Sequence, residues 1–556
     1  MADFPPSVDP ANGFCSETKT FHSLRPSYSL PPHNSPLSAS QYAITLFHNS
    51  SFSPSNTTAV IDSTTGQRLS YSQFFLQTQN LALYLQNEFG LSRGDVAFVL
   101  SPNCLQIPIL FFSLLSLGVV VSPANPTSTK SEISRQLGLC KATIAFATSD
   151  IAHKLPFLRY ETILLDSPKF LSMMIIPRSD ELITTQVIQS DPAAILYSSG
   201  TTGKVKGVVL THRNLTSTLA GVAVVQKSRE TPAVMLYTVP YFHVYGFFFA
   251  LRSVAVAETV VLLGRFGLES MMKAIEEFRV TTVALSPPVI VSMLQNNDAI
   301  KDYDSSSLES VACGGAALGM SMIERFRERF PKVQLAQGYG LTESTGVAFR
   351  PNNPEESSRY GAAGRLVSNF EAKIVDPNTA IALSPCKVGE LWIKGPTIMK
   401  GYVEDEEATS KILDYEGWLR TGDACYIDSD GYLFVVDRFK ELIKYKGHQV
   451  SPSELEQLLR SHIQVVDVAV VAYHDEVAGE IPLAFVVRQP HHVLGEMRES
   501  HSMVDESQII KFVAKQVAPY KRIRRVMFID SIPKNAAGKI MRTELKQLAS
   551  KHISKL

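Results

Sequence analysis

Residues 197–214 read YSSGTTGKVKGVVLTHRN, a loop of glycines, hydroxyls and lysines between two apolar runs. Gly200 and Gly203 let backbone N–H groups approach an anion, and Ser198, Ser199, Thr201 and Thr202 add hydroxyl donors. Lys204 and Lys206 supply countercharge. The common nucleotide P-loop needs G-x-x-x-x-G-K-[ST], whereas here the glycines stand three apart and Val205 follows Lys204, so that site is excluded. The flanks AAILY (193–197) and VVL (208–210) are strand-like, which leaves a polar turn between strands as the plain alternative.

The remainder of the chain bears on the choice. Its 556 residues, 45% of them hydrophobic, can bury a large core in three to four structural units. With 53 basic and 53 acidic residues, the overall balance points neither to nucleic acid nor to a membrane surface. From residue 509 onward, however, twelve Lys/Arg face only Asp530 and Glu544, an excess suited to a polyanionic small ligand. The cysteines at 15, 104, 140, 313, 386 and 425 show no metal-ligand spacing and read as reduced. The N-terminal MADFPPSVDPANGFCSETK lacks the pattern of a secretory signal, and IPILFFSLLSLGVVV (107–121) reads as a buried helix leading into a strand. The final Ser554-Lys555-Leu556 matches a peroxisomal address, so a peroxisomal location and an import receptor as partner are expected.

Residues 1–38, rich in Ser and Pro, read as an arm laid over a domain rather than a core element. From 39 to 436, runs such as VAFVL, TIAFAT, TVVLL and TVALS alternate with helical stretches such as SEISRQLGLC. This predicts an α/β domain of mostly parallel sheets with helices. Residues 437–440 are the expected hinge, and 441–556 a small α+β domain whose first helix opens on a Ser451–Glu454 capping box with Pro452 at the first helical position.

Other stretches share the opening loop's chemistry. In QGYGLTES (337–344), Tyr339 can stack on a base and Glu343 can hold a hard divalent cation. GWLRTGD (417–423) ends in an aspartate able to take ribose hydroxyls, and PKNAAGKIMR (533–542) carries Lys539 on a loop. As an ordered set with PYFHVYG, GELWIKGP and DRFKELIKYKGHQV, these motifs resemble the adenylate-forming enzymes: acyl-CoA synthetases, firefly luciferases and peptide-synthetase adenylation domains. FHSLRPSYSLPP (21–32), KELIKYKG and the SKL end are similar to the plant peroxisomal proteins called 4-coumarate:CoA-ligase-like.

The resemblance implies an acid–thiol ligase that uses ATP, Mg2+ and CoA. A carboxylate attacks the α-phosphate, giving an acyl-adenylate and pyrophosphate, and the CoA thiol then displaces AMP. By motif, Ser198, Ser199, Gly200, Thr201, Thr202 and Lys206 hold the triphosphate, Glu343 the Mg2+ and Thr342 the α-phosphate. Gln337, Gly338 and Tyr339 bracket adenine, Asp423 and Arg438 take the ribose, and Lys539 bridges carboxylate and α-phosphate. Between half-reactions the small domain turns on Lys440, bringing Lys444 and Gln449 to the adenylate and Lys446 and Gly447 to the pantetheine route, with Arg265 at a CoA phosphate.

The implied acyl pocket comprises His243 at its mouth with Tyr245, Phe249, Gly315, Ala316, Gly346 and Val347. Cys313–Ala317 and Gly346-Val347-Ala348 replace the S-G-A-A-P and Pro-Val-Leu usual in hydroxycinnamate ligases, and Phe247-Phe248-Phe249 is bulky and apolar. A buried phenol without a partner is penalised, so a fatty acid or a jasmonate-precursor acid is expected over 4-coumarate. A luciferase-like oxygenase and a non-catalytic acyl- or nucleotide-binding protein remain alternatives.

Overall fold

The computed structural model describes residues 7–176, 186–198, 205–226, 228–264, 266–296, 300–315, 318–446, 448–489, 504–535 and 538–553. The predicted alternation is present. One seven-stranded sheet runs in the order Gly401–Tyr402, Lys206–Thr211, Pro192–Ser198, Val120–Ala124, Val96–Leu100, Ile144–Ala147 and Ile163–Leu164. A second runs Gln334–Gln337, Ser310–Cys313, Thr282–Leu285, Val234–Tyr237, Thr259–Leu262, Thr58–Asp62 and Arg68–Ser70. Their central pairs are parallel, joined through helices as such pairs require. The helix Gln106–Ser116 is buried along most of its length and leads into the strand Val120–Ala124, in a core that takes side chains from both sheets.

A six-stranded sheet departs from the parallel expectation. Phe14–Cys15, Thr20–His22, Glu371–Val375, Gly389–Lys394, Leu419–Ile427 and Leu433–Arg438 pair antiparallel throughout. The reason lies partly in the connections, since several of these strands are joined by short turns that cannot hold a crossover helix. The N-terminal arm also does more than lie over the surface: it supplies two edge strands, and Phe21 is 2% exposed in this sheet's core. Bidentate Arg25–Glu356 bonds of 2.7 and 2.6 Å hold the arm farther along.

The chain leaves the antiparallel sheet at Arg438 and enters a five-stranded sheet at Ile443–Tyr445. The helix Pro452–Arg460 starts as predicted, with Pro452 in its first turn and the Ser451 hydroxyl accepting the Glu454 N–H. The reciprocal half of the box is replaced: the Glu454 carboxylate takes Lys521 at 2.8 Å, and the Ser451 hydroxyl donates to Asp437 at 2.6 Å. All six cysteines are free thiols. No helix among the described residues is long and apolar enough to cross a membrane.

Candidate active site

The opening stretch becomes two antiparallel strands with Ser198 opposite Lys206. Thr211 caps the helix His212–Ala223 in a box with Asn214, whose side-chain amide donates to Pro396 and Ile398 carbonyls at 3.0 and 2.8 Å. That fixes the segment whose Met399 N–H bonds the Glu343 carbonyl at 2.9 Å. Glu343 stands in the single turn Thr342–Ser344, beside Thr345 at φ +56°. Hydroxyls of Ser198 (3.0 Å) and Tyr402 (2.9 Å) both donate to its Oε1. The Lys206 ammonium lies 4.4 Å from the centre of the Tyr402 ring. Burial, reinforced by Glu343, pushes the Tyr402 hydroxyl far up, so it stays a donor.

Among the described residues Glu343 Oε2 accepts no hydrogen bond, and no group of three or more His, Cys, Asp or Glu could hold a metal. One hard carboxylate oxygen beside a hydroxyl-rich loop fits Mg2+, which binds through one or two carboxylates, phosphate oxygens and water. Ser199, Gly200, Thr201 and Thr202 lie outside the described residues.

A second cluster centres on Asp423, 4% exposed and expected by resemblance at the ribose, with Arg438 as its cross-strand partner. Arg438 Nε stands 3.4 Å from Oδ1, and the Tyr339 hydroxyl donates to Oδ2 at 2.6 Å. Burial pushes the Asp423 carboxyl up, while Arg438, Tyr339 and Lys539 pull it down. Beside the base-stacking role expected of its ring, Tyr339 thus fixes the aspartate through its hydroxyl. Gln337 accepts the Leu318 N–H at 3.3 Å, and Gly338 donates to the Cys313 carbonyl at 3.1 Å. A Cβ on Gly340 would stand 1.9 Å from the Gly346 carbonyl oxygen, so only glycine lets these strands meet.

Lys539 comes to this same place from the far end of the chain. Its N–H bonds the Asn535 side chain at 2.9 Å, and the loop seats against the helix Pro287–Gln295, where a Cβ on Gly538 would meet Pro288 Cγ at 2.9 Å. Burial and Arg438 lower the Lys539 pKa, opposed by Glu441 and Asp423. Glu441 in turn bonds Arg542 Nε at 2.7 Å.

The second lysine set is not gathered here. Lys440, Lys444, Lys446 and Gln449 are exposed; Lys444 and Gln449 pair across one edge of the small sheet, and the Lys444 N–H bonds Glu480 at 2.8 Å. Lys539 occupies the site instead. Arg265, Ala316, Gly447 and Ser554-Lys555-Leu556 lie outside the described residues.

For the acyl side, His243 caps the helix Val244–Ala255, its Nδ1 accepting the Tyr245 N–H at 3.2 Å, and burial lowers its pKa. Tyr245 donates to the Ala312 carbonyl at 3.0 Å and meets Phe249 edge-on with centroids 4.9 Å apart. Of the three phenylalanines, Phe247 turns into the core against Phe111, at 5.0 Å. A Cβ on Gly315 (φ +89°) or Gly346 (φ +106°) would meet nothing within 4 Å, so both border open space. Tyr402 and Arg542 escaped the sequence reading as site residues; the PKNAAGKIMR run that carries Lys539 also holds Arg542, but nothing near Tyr402 marks it.

The Ser198–Glu343–Tyr402 cluster and the Tyr339–Asp423–Arg438 cluster with Lys539 nearby are compatible with an adenylate-forming ligase. The chain belongs to the AMP-binding enzyme family, whose model matches residues 46–403, with the AMP-binding enzyme C-terminal domain matching 454–539. It is 50% identical to 4-coumarate–CoA ligase-like 9 of Arabidopsis thaliana, over 98% of this chain and 97% of that one. Peroxisomal OPC-8:0-CoA ligase 1 of the same plant is 43% identical, over 98% and 99%. Among solved structures, o-succinylbenzoate coenzyme A synthetase from Bacillus subtilis, in complex with ATP and magnesium ion, superposes with a TM-score of 0.77 at 26% identity, covering 91% of this chain and 99% of that one.

Proposed function

We propose that this ATP-, Mg2+- and CoA-dependent ligase activates a medium- or long-chain apolar acid, the jasmonate-precursor type included, in a peroxisome. The convergence of Lys539 with Arg438 and Asp423 carries the mechanistic part, because a loop about 100 residues farther along the chain meets this cross-strand pair. Asp423 and Arg438 orient the ribose, and Tyr339 holds the aspartate. Ser198, Lys206 and the loop 199–204 grip the β- and γ-phosphates, and Thr342 contacts the α-phosphate. Bound at Glu343, Mg2+ would screen the phosphate charge as pyrophosphate leaves. Lys539 donates to the attacking carboxylate and to the α-phosphate, a preorganised stabilisation worth about 3–4 kcal/mol.

For the second step we assign residues 39–436 and 441–556 to two bodies that turn about 437–440. Lys539 then leaves, and Lys444, Gln449, Lys446 and Gly447 approach the adenylate while CoA enters, with Arg265 at one of its phosphates. In support, the chain passes between two sheets across this junction, and the second lysine set is exposed where Lys539 is docked. The open space at Gly315 and Gly346 supports an extended acid, as does the 43% identical relative's name. That name also supports the peroxisome, with Ser554-Lys555-Leu556 as the import signal.

Pyrophosphate release and thioester formation across C6–C18 acids, jasmonate-precursor acids and 4-coumarate test this reading on wild type and Lys539→Ala. Adenylation should fall about 100- to 1000-fold in the variant, while CoA still converts supplied acyl-adenylate. Higher kcat/KM on 4-coumarate than on every aliphatic acid would overturn the substrate assignment.

A further inference from the structure

Two elements that carry residues of the proposed acyl pocket also carry arginines, the helix Val244–Ala255 and the strand Gly346–Arg350. On the helix Val244–Ala255, Tyr245, Phe249 and Arg252 follow at spacings of four and three and so share a face, with the Arg252 guanidinium 5.2 Å from the Phe249 ring centre. His243 begins this helix, which places Arg252 about 10 Å farther in than Tyr245. The strand Gly346–Arg350 packs against the helix and starts beside the catalytic turn, so its last residue lies about 13 Å beyond Gly346.

The charges at this end do not cancel. Arg252 is neutralised by Glu258, 5% exposed, at 2.6 Å. The carboxylate near Arg350, Glu356, is gripped by both Arg25 nitrogens at 2.7 and 2.6 Å. Each acid thus has its own arginine; the cross-strand pair Arg365 and Arg350 is left over, Arg365 stacked 4.7 Å from the Tyr432 ring centre and Arg350 a surplus cation. Among the described residues its guanidinium makes no hydrogen bond or ion pair; Arg25 bonds only its backbone carbonyl, at 2.9 Å. Burial and the neighbouring Arg252 pull its pKa down to about 10, so it is charged at neutral pH. Arg350 is half-buried, as Tyr245 and Tyr339 are. Its Cβ would lie 3.9 Å from one on Gly338 in the adenine-bracketing segment, and so it stands behind the site.

We propose that Arg350 is a specificity-determining residue at the closed end of the acyl channel, pairing with an oxygen acceptor, oxo or carboxylate, on the end of the acid remote from its reacting carboxyl. This rests on the ligase reading above. A guanidinium that an apolar tail strips of water without supplying an acceptor is costly, and its planar fork suits a carbonyl or carboxylate oxygen. An unsubstituted alkyl tail leaves that cost in place, whereas an acceptor at the right depth removes it. Selectivity should therefore depend on both tail length and the terminal group.

The test is steady-state thioester formation by wild type and Arg350→Met on decanoate, its 9-oxo derivative and decanedioate, with flanking chain lengths. Wild type should prefer an oxygen-bearing acid at one length, and the oxo and dicarboxylate arms separate the two acceptors. In the variant the ratio of kcat/KM values should fall about tenfold or more, mostly through KM, the acid tail's share of one charged hydrogen bond. Decanoate should meanwhile improve. Equal loss on all three acids, or an unchanged ratio, overturns the proposal. Binding of decanoyl and 9-oxodecanoyl sulfamoyl-adenosines provides a readout without turnover. If wild type makes no thioester yet selects the oxo tail through Arg350, the ligase assignment fails and the role of Arg350 stands; equal binding of both tails overturns it.

Discussion

Replacing Gly538 by alanine should slow one half-reaction and spare the other. Gly538 has φ +77°, and an added Cβ would meet Pro288 Cγ at 2.9 Å. The left-handed conformation costs an L-residue about 1–2 kcal/mol, and that part acts on the loop wherever it sits. The contact with Pro288 exists only when the lysine loop is docked on the large body. A proline ring cannot swing aside as a long side chain can, so the loop must withdraw and carry Lys539 with it, at a further cost of about 1–3 kcal/mol. Acid-dependent exchange of pyrophosphate into ATP should therefore fall about 10- to 100-fold. Formation of thioester from supplied acyl-adenylate and CoA should change little, because the proposed turn carries Lys539 away from the site in that step. Both rates measured on one preparation decide it: equal loss of both, or loss of neither, would refute the docking argument.

Arg542→Leu removes the partner of two acids, Glu441 at 2.7 Å and the 4%-exposed Glu456, which also accepts the Val470 N–H at 2.8 Å. Leaving Glu456 buried with only Arg460, at 3.9 Å, should cost the small domain up to about 3 kcal/mol, seen as faster hydrogen exchange in peptides from 452–486 with the large domain unaffected. His212 is fully buried, its Nδ1 accepts the Ala39 N–H at 3.1 Å, and burial lowers its pKa to about 4. A depressed folded pKa means that the unfolded chain binds a proton the native state refuses between about 6.5 and 4, so stability is lost as pH falls through that window. The loss should approach about 3 kcal/mol. Urea unfolding at pH 7 and 4.5 should show a smaller pH dependence in His212→Asn by that amount, and equal slopes would count against it.

Much of the site was legible because its chemistry is local. Glycines, hydroxyls and lysines within 197–206 announce an anion loop wherever they sit, and the strands on either side followed from their own apolar runs. The Thr211–Asn214 box is likewise contained in four residues. The partners are another matter. Tyr339 meets Asp423 across 84 residues of sequence and Tyr402 meets Glu343 across 59, pairings set by how the sheets pack. One sequence carries no record of them, and a tyrosine after a glycine reads as core until its hydroxyl is seen on a carboxylate. The antiparallel sheet was missed for a related reason, since two of its strands come from the arm, more than 340 residues from the strand they join. Arg350 shows the limit most sharply. At the end of a strand-like run it reads as an ordinary polar terminus; only the pairing of Glu258 with Arg252 and of Glu356 with Arg25, and the stacking of Arg365 on Tyr432, leave it as a surplus cation. Specificity in this ligase thus rests on a charge balance among residues from four segments, whereas its reaction class rests on motifs that each act within one.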